Sequence, residues 1–264
     1  MTETARLRAL AERLAREAGA LQRERYETDL SIRSKTADID LVTEVDLACE
    51  RLIIEAIAAE RPGDAILAEE GGGHDRADAR FRWVIDPLDG TVNYAHGYPR
   101  FCVSIGIQCD AETLVGVVYD PLLDELFAAT RSGGAVRNGR PIAVSHEDQL
   151  SRALLATGFA YDIHQSDEDN LDHFAQLAKR ARGLRRDGSA ALDLCYVACG
   201  RFDAFWELKL KAWDVCAGNL IVEEAGGRVS DFQGAAASGD GRETLASNGP
   251  LHDAVLEVLA RASG

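Results

Sequence analysis

The two acidic residues in Trp83-Val84-Ile85-Asp86-Pro87-Leu88-Asp89-Gly90-Thr91-Val92-Asn93-Tyr94 have the types and spacing for chemistry. The apolar run 83–85 predicts a buried strand that delivers Asp86 and Asp89 to one rigid turn, with φ fixed between them by Pro87. Two carboxylates three positions apart converge only at a cost unless a cation lies between them. Oxygen donors with no His or Cys in the turn suit Mg²⁺, or Mn²⁺ as a substitute, better than zinc. Gly90 permits a close backbone approach, and Thr91 stands at a predicted helix start, where free N–H groups favour an anion. A cation site touching an anion site suggests phosphate ester chemistry. A plain hairpin is the competing explanation, because Asp-Gly after a strand is a strong turn signal. The chain contains its own control: Tyr119-Asp120-Pro121-Leu122-Leu123-Asp124-Glu125 repeats the Asp-Pro start, lacks Gly-Thr, and predicts an ordinary turn.

Other acidic residues carry the same ambiguity. Thr43 and Asp46 form a capping-box pair ahead of Leu47, Ile53, Ile54 and Ile57, so Asp46 reads as a helix cap as readily as a catalytic group. Lys35 falls in the polar, flexible-looking segment 34–46 and by itself is a solvated loop lysine. Glu69-Glu70 ends a predicted strand at 65–68, beside Gly71-Gly72-Gly73, and resembles a ligand delivered next to a mobile lid. Asp214, after Trp213, is placed to cap a helix over 215–225.

These residues need elements to hold them. An amphipathic helix through Leu7, Leu10, Leu14, Ala18 and Leu21 opens the chain. Strands are predicted at 101–107, 114–119, 125–129, 134–136 and 141–144, with Asn138-Gly139 as a hairpin turn. From 152 onward strands (153–157, 204–207, 228–231) alternate with helices (170–181, from 188, 215–225, 251–262). The reading is an α/β (α+β) chain of two closely packed subdomains, 1–145 and 146–264.

The 264 residues carry 44 Asp+Glu against 29 Lys+Arg, and a net charge of -15 disfavours direct nucleic-acid binding. No apolar run is long enough to span a bilayer and the N-terminus lacks a signal segment, so a cytoplasmic protein is expected. The six scattered cysteines read as free thiols, mostly buried.

Taken together, Glu69, Asp86-Pro87-Leu88-Asp89-Gly90-Thr91, Trp213-Asp214-x-x-Ala217-Gly218 and Glu223-Glu224-Ala225-Gly226-Gly227 resemble the inositol monophosphatase family, in its motif order, from Lys35 to Gly227. Tyr94 stands where the family motif more often has Phe, and Arg185-Arg186-Asp187-Gly188-Ser189-Ala190-Ala191-Leu192-Asp193-Leu194 resembles its bacterial branch. The resemblance implies a layered αβαβα sandwich, Mg²⁺ dependence, Li⁺ inhibition and a homodimer. It implies that Glu69, Asp86 and the Leu88 carbonyl hold one metal, and that Asp86, Asp89 and Asp214 hold a second. Thr91 then orients the attacking water, Asp46 polarises its hydroxyl, Glu69 helps accept the proton, and Lys35 approaches when its loop closes. Phosphate falls to Gly90 and Thr91, and the alcohol to Asp89, Ala190 and Glu207, with Arg185 as a substrate or cross-dimer contact. The substrate implied is inositol 1-phosphate or a related small polyol phosphate. Histidinol phosphate and fructose 1,6-bisphosphate are alternatives, and a transcription-complex partner is a further role that bacterial relatives suggest.

Overall fold

The computed structural model describes residues 2–35 and 37–262, and the statements below concern those residues; Thr36, in the polar segment, lies outside them. Helix α1 (Glu3–Arg25) buries Leu7, Leu14 and Ala18 as their spacing predicts. The segment expected to be irregular holds a short antiparallel hairpin, β1 (Ile32–Ser34) and β2 (Leu41–Thr43). Helix α2 (Glu44–Glu60) starts at the expected cap, where Thr43 Oγ1 accepts from Asp46 N–H and the Asp46 carboxylate accepts from Thr43 N–H. Leu47, expected in the core, is 42% exposed, because the buried stripe runs through Val45, Cys49, Ile53 and Ile57.

The first large sheet contains β3 (Ala65–Ala68), β4 (Arg82–Asp89), β5 (Cys102–Cys109), β6 (Glu112–Asp120), β7 (Glu125–Thr130), β8 (Ala135–Arg137) and β9 (Arg140–Pro141), side by side in chain order. Helix α3 (Thr91–Ala95) interrupts the series after β4. Strand β4 does not stop at Ile85. Its ladder with β5 continues to Asp89, and a register shift between Asp86 and Asp89 absorbs Pro87, which has no N–H to contribute. Strand β9 is shorter than the predicted 141–144, and Asn138 and Gly139 adopt the positive φ of the expected hairpin turn.

The second sheet has the order β11-β10-β12-β14-β13. Its chain sequence is β10 (Leu154–Thr157), α4 (Leu171–Ala178), β11 (Gly183–Arg185), α5 (Ala190–Ala198), β12 (Ala204–Leu208), α6 (Ala212–Glu224), β13 (Arg228–Ser230), β14 (Glu243–Ser247) and α7 (His252–Ala262). Strands β11 and β14 were not anticipated. Helix α4 is shorter than 170–181, and α6 begins at Ala212, which makes Asp214 its third residue rather than its cap.

Three apolar clusters stack these elements into five layers. The outermost joins α1 and α2 to the first sheet through Leu14, Ile53, Trp83 and Ile105. The middle one places α5 and α6 between the sheets, with Phe127 on one side and Phe205 on the other. The last packs Leu177 of α4 and Val255 and Leu259 of α7 on Leu155, Trp206 and Leu245. Each fully buried large side chain contributes about 1.5–3 kcal/mol. The result is the αβαβα sandwich.

Helix α6 reaches unusually close to the first sheet because Gly106 and Gly116 face each other across β5 and β6. A Cβ at Gly106 would lie 2.3 Å from Cys216 Sγ, and one at Gly116 2.5 Å from the Ala217 carbonyl oxygen. That approach carries Asp214 toward β4. Ser104 Oγ, paired across the ladder with Asp86, donates to the Trp213 carbonyl at 3.3 Å and fixes the start of α6. All six cysteines are free, with Cys109 and Cys199 only half-buried, and no helix is long and apolar enough to cross a membrane.

Candidate active site

A cavity of about 680 Å³ opens where the two sheets meet across α5 and α6. Glu69, just past β3, Asp86 and Asp89 on β4, and Asp214 on α6 all line it, as do Lys35, Leu88, Gly90, Thr91, Ala190 and Glu207. Residues far apart in the sequence are thus collected on one surface.

Asp86 and Asp214 are each held by a donor from their own neighbourhood, and Asp89 by donors from another element. Leu88 N–H donates to Asp86 Oδ1 at 3.0 Å, and Lys211 N–H donates to Asp214 Oδ2 at 2.6 Å. Ser189 Oγ and Ala191 N–H donate to Asp89 Oδ2 at 2.6 and 2.8 Å, so Asp89 caps α5 from the opposite sheet. Burial, reinforced by Glu69, Asp89 and Asp214, pushes the Asp86 carboxyl well above the usual range. Burial lifts Asp89 to about 6 against the pull of its Ser189 and Ala191 hydrogen bonds. Asp214 is raised by burial and then by Asp89.

At the Glu69 end a lysine answers this charge. Lys35 Nζ donates to Glu69 Oε1 at 2.9 Å and to Glu70 Oε1 at 2.5 Å. Burial works against its ammonium, but the two glutamates override that and raise its pKa above the ordinary value. Burial also lifts Glu70 to about 7. Glu50, which the sequence did not single out, accepts from Glu70 N–H at 2.7 Å and Gly72 N–H at 2.8 Å and so fixes the loop that presents Glu69. Among the described residues no three His, Cys, Asp or Glu side chains are already arranged to hold a metal ion, although Glu69, Asp89 and Asp214 all act on Asp86.

Thr91 sits at the foot of this cluster. Its hydroxyl is 2.8 Å from Asp46 Oδ1 and 3.1 Å from the Leu88 carbonyl oxygen, and Asp46 is fully buried. Asp46 therefore caps α2 with one oxygen and engages Thr91 with the other. Gly90 has φ +98°, and a Cβ there would come within 2.7 Å of the Arg100 carbonyl oxygen, so both conformation and space require glycine. Gln22, buried in α1, donates to the carbonyl of Pro87 at 2.8 Å, a group the β4 irregularity takes out of the regular ladder.

At the other end of the cavity Glu207 rises from β12 beside Ala190, and burial, then Asp214, lifts its carboxyl to about 8. Arg185 is not brought there. It lies on β11 at the sheet edge, where its guanidinium donates to the Leu184 carbonyl at 3.0 Å, and the adjacent Arg186 lines the cavity instead. Tyr161, Asp193 and Lys209 also line it and were missed. The motif from Arg185 to Leu194 was the available signal for Arg186 and Asp193; Tyr161 and Lys209 carry none in the sequence.

The class that emerges is a layered α/β protein with an acidic, oxygen-lined cavity where its two sheets meet. A sequence model described as the inositol monophosphatase family matches residues 3–263. The chain is 47% identical over 229 residues to the inositol-1-monophosphatase of Synechocystis sp., covering 87% of this chain and 80% of that one. It is 44% identical over 257 residues to the Nus factor SuhB of Pseudomonas aeruginosa, covering 95% and 94%. The solved inositol monophosphatase of Anabaena (Nostoc) sp. superposes with a TM-score of 0.89 at 42% identity, covering 98% of this chain and 97% of that one. The chain belongs to the inositol monophosphatase family, a family of metal-dependent phosphatases.

Proposed function

We propose that this protein is a Mg²⁺-dependent phosphomonoesterase that hydrolyses inositol 1-phosphate or a related small polyol phosphate. The observation that carries the reading is the gathering of Glu69, Asp86, Asp89 and Asp214 from three elements onto one cavity wall, with Lys35 bonded to Glu69. So dense a set of hard oxygen donors fits Mg²⁺, and Mn²⁺ as a substitute. Glu69, Asp86, the Leu88 carbonyl, Asp89 and Asp214 would hold it. When bound, the metal supplies charge neutralisation for the phosphoryl oxygens and the leaving alkoxide and makes water a better nucleophile.

The chain's own groups supply the rest. With its proton committed to Asp46, the Thr91 hydroxyl presents a lone pair that accepts from the attacking water and aims it. Glu69 stands near enough to that cluster to take a proton. The N–H groups of Gly90 and Thr91, at the α3 start, favour phosphoryl oxygens. Glu207 accepts from vicinal hydroxyls of the alcohol beside Ala190, and Arg186 replaces Arg185 as the arginine on the substrate side.

We further read 1–145 and 146–264 as subdomains, supported by the division of the strands between two sheets. A cytoplasmic homodimer is part of the same reading, and the relative named as a Nus factor supports a second, transcription-related association. The test is a phosphate-release panel of inositol 1-phosphate, histidinol phosphate and fructose 1,6-bisphosphate, with chelator and Li⁺ controls. Fastest turnover of inositol 1-phosphate, lost with chelator and reduced by Li⁺, is expected. Chelator-resistant release, or none from any substrate, sinks the reading.

A further inference from the structure

Residues 158–169, between β10 and α4, contribute a wall of the cavity to which the chemistry above assigns no task. Tyr161 is the distinctive residue there. It lines the cavity yet is 46% exposed, a large ring left half open where a packing residue would be enclosed. Besides burial, Glu69, Asp214 and Asp89 all act on its phenol and raise its pKa. Tyr161 shares the cavity lining with Glu69, Asp89 and Asp214, so its ring borders the space the carboxylates enclose.

Its loop is fastened from the second sheet. Lys209 Nζ donates to Asp162 Oδ2 and to Ser166 Oγ, each at 2.8 Å, with Glu168 at 3.7 Å. Lys209 directly follows β12 and has φ +61°, a left-handed conformation that a non-glycine residue keeps only where its surroundings over-determine it. That turn throws the lysine back under the loop carrying Tyr161.

We propose that Tyr161 is a substrate-contacting residue whose hydroxyl donates to a phosphoryl oxygen seated at the carboxylate cluster, from a loop that Lys209 clips in place. The inference rests on the phosphatase reading of the same cavity. A phenol suits the position: it is a neutral donor with long reach, so it adds a hydrogen bond to the phosphate without competing with the cations for the carboxylates. It also explains why the ring is left open to the cavity.

The test titrates the full-length protein with inorganic phosphate in the presence of Mg²⁺ and, separately, with Mg²⁺ alone. Tyr161→Phe keeps the ring and removes the donor. It should raise the phosphate Kd and the KM about five- to tenfold. Its kcat should stay within about twofold, and its Mg²⁺ Kd should match wild type. Lys209→Met should weaken phosphate binding in the same direction and speed proteolytic cleavage within 158–169. Wild-type phosphate affinity and KM in Tyr161→Phe overturn the proposal. So does a matching loss of Mg²⁺ affinity, which would assign the phenol to the cation site. Wild-type phosphate affinity and loop protection in Lys209→Met remove the clip. If the wild type hydrolyses no phosphomonoester, the phosphatase reading falls by itself, and the phosphate titration still decides the hydroxyl's contact.

Discussion

In both Asp86-Pro87-Leu88 and Asp120-Pro121-Leu122 the aspartate Oδ1 accepts the N–H two residues on, at 3.0 and 2.9 Å. The two stretches then part. Asp120 takes a second N–H from Leu123 and lies 3.9 Å from Arg100, while Asp124 accepts from Tyr119 Oη at 2.9 Å and Arg16 at 3.1 Å. Every negative charge in that turn meets a donor or a cation. Asp86 meets Glu69, Asp89 and Asp214 instead. The local turn is the same chemistry twice, and what differs is the sign of the charge that other elements deliver to it.

The widest separation between the two turns should appear in activity. Asp89→Asn retains an acceptor for Ser189 and Ala191 but loses the charge, and phosphate release should fall about 10³-fold. Asp124→Asn should stay within about twofold, since its charge only meets an exposed arginine and a tyrosine. Equal losses in the two variants would erase the distinction.

A smaller contrast should appear in the pH dependence of stability with chelator present. Asp89 has a folded pKa of about 6, against about 3.9 when unfolded. The folded state therefore binds this proton more tightly, and its contribution is full at low pH and lost as pH rises through about 6. Glu70 adds the same sign up to about 7. Thermal or urea unfolding should show stability falling by about 4 kcal/mol between pH 5 and 7.5. The slope should shrink in Asp89→Asn and persist in Asp124→Asn. A stability that rises over this interval contradicts the charge crowding.

The least effect, and the one that separates structure from chemistry most cleanly, belongs to Asp120→Ala. It strands the N–H groups of Leu122 and Leu123 and should cost about 1–3 kcal/mol in urea unfolding. Turnover of the surviving folded protein should be unchanged. Lost turnover at full stability would place Asp120 in the chemistry.

Much of this was legible because it is local. The Thr43–Asp46 cap, the Asn138-Gly139 turn, the stripe of α1 and the Gly-Thr that separates the two acidic turns are all readable within a few residues. What was missed depends on distant neighbours. Pro87 reads as a strand end because it lacks an N–H, yet a register shift with β5 carries the ladder past it. Glu50 reads as one more acidic residue in a helix, and its hydrogen bonds go to a loop 20 and 22 positions away. Arg185 and Arg186 are alike in sequence, and only the end of β11 decides which one faces the cavity. Tyr161 and Lys209 lie in segments with no periodicity to read. Strand β14 opens with Glu243 and Thr244 and has no alternation to reveal it.

Asp89 closes the amino end of α5, a helix sandwiched between two sheets that are otherwise built from separate lengths of chain. A polypeptide lacking residues from 189 onward would leave that carboxylate facing neither Ser189 nor the amides after it. Under the proposed function, cation capture would be coupled to completion of the interior layer, and a half-made or locally unravelled molecule would have no competent centre with which to sequester ions or attack stray esters.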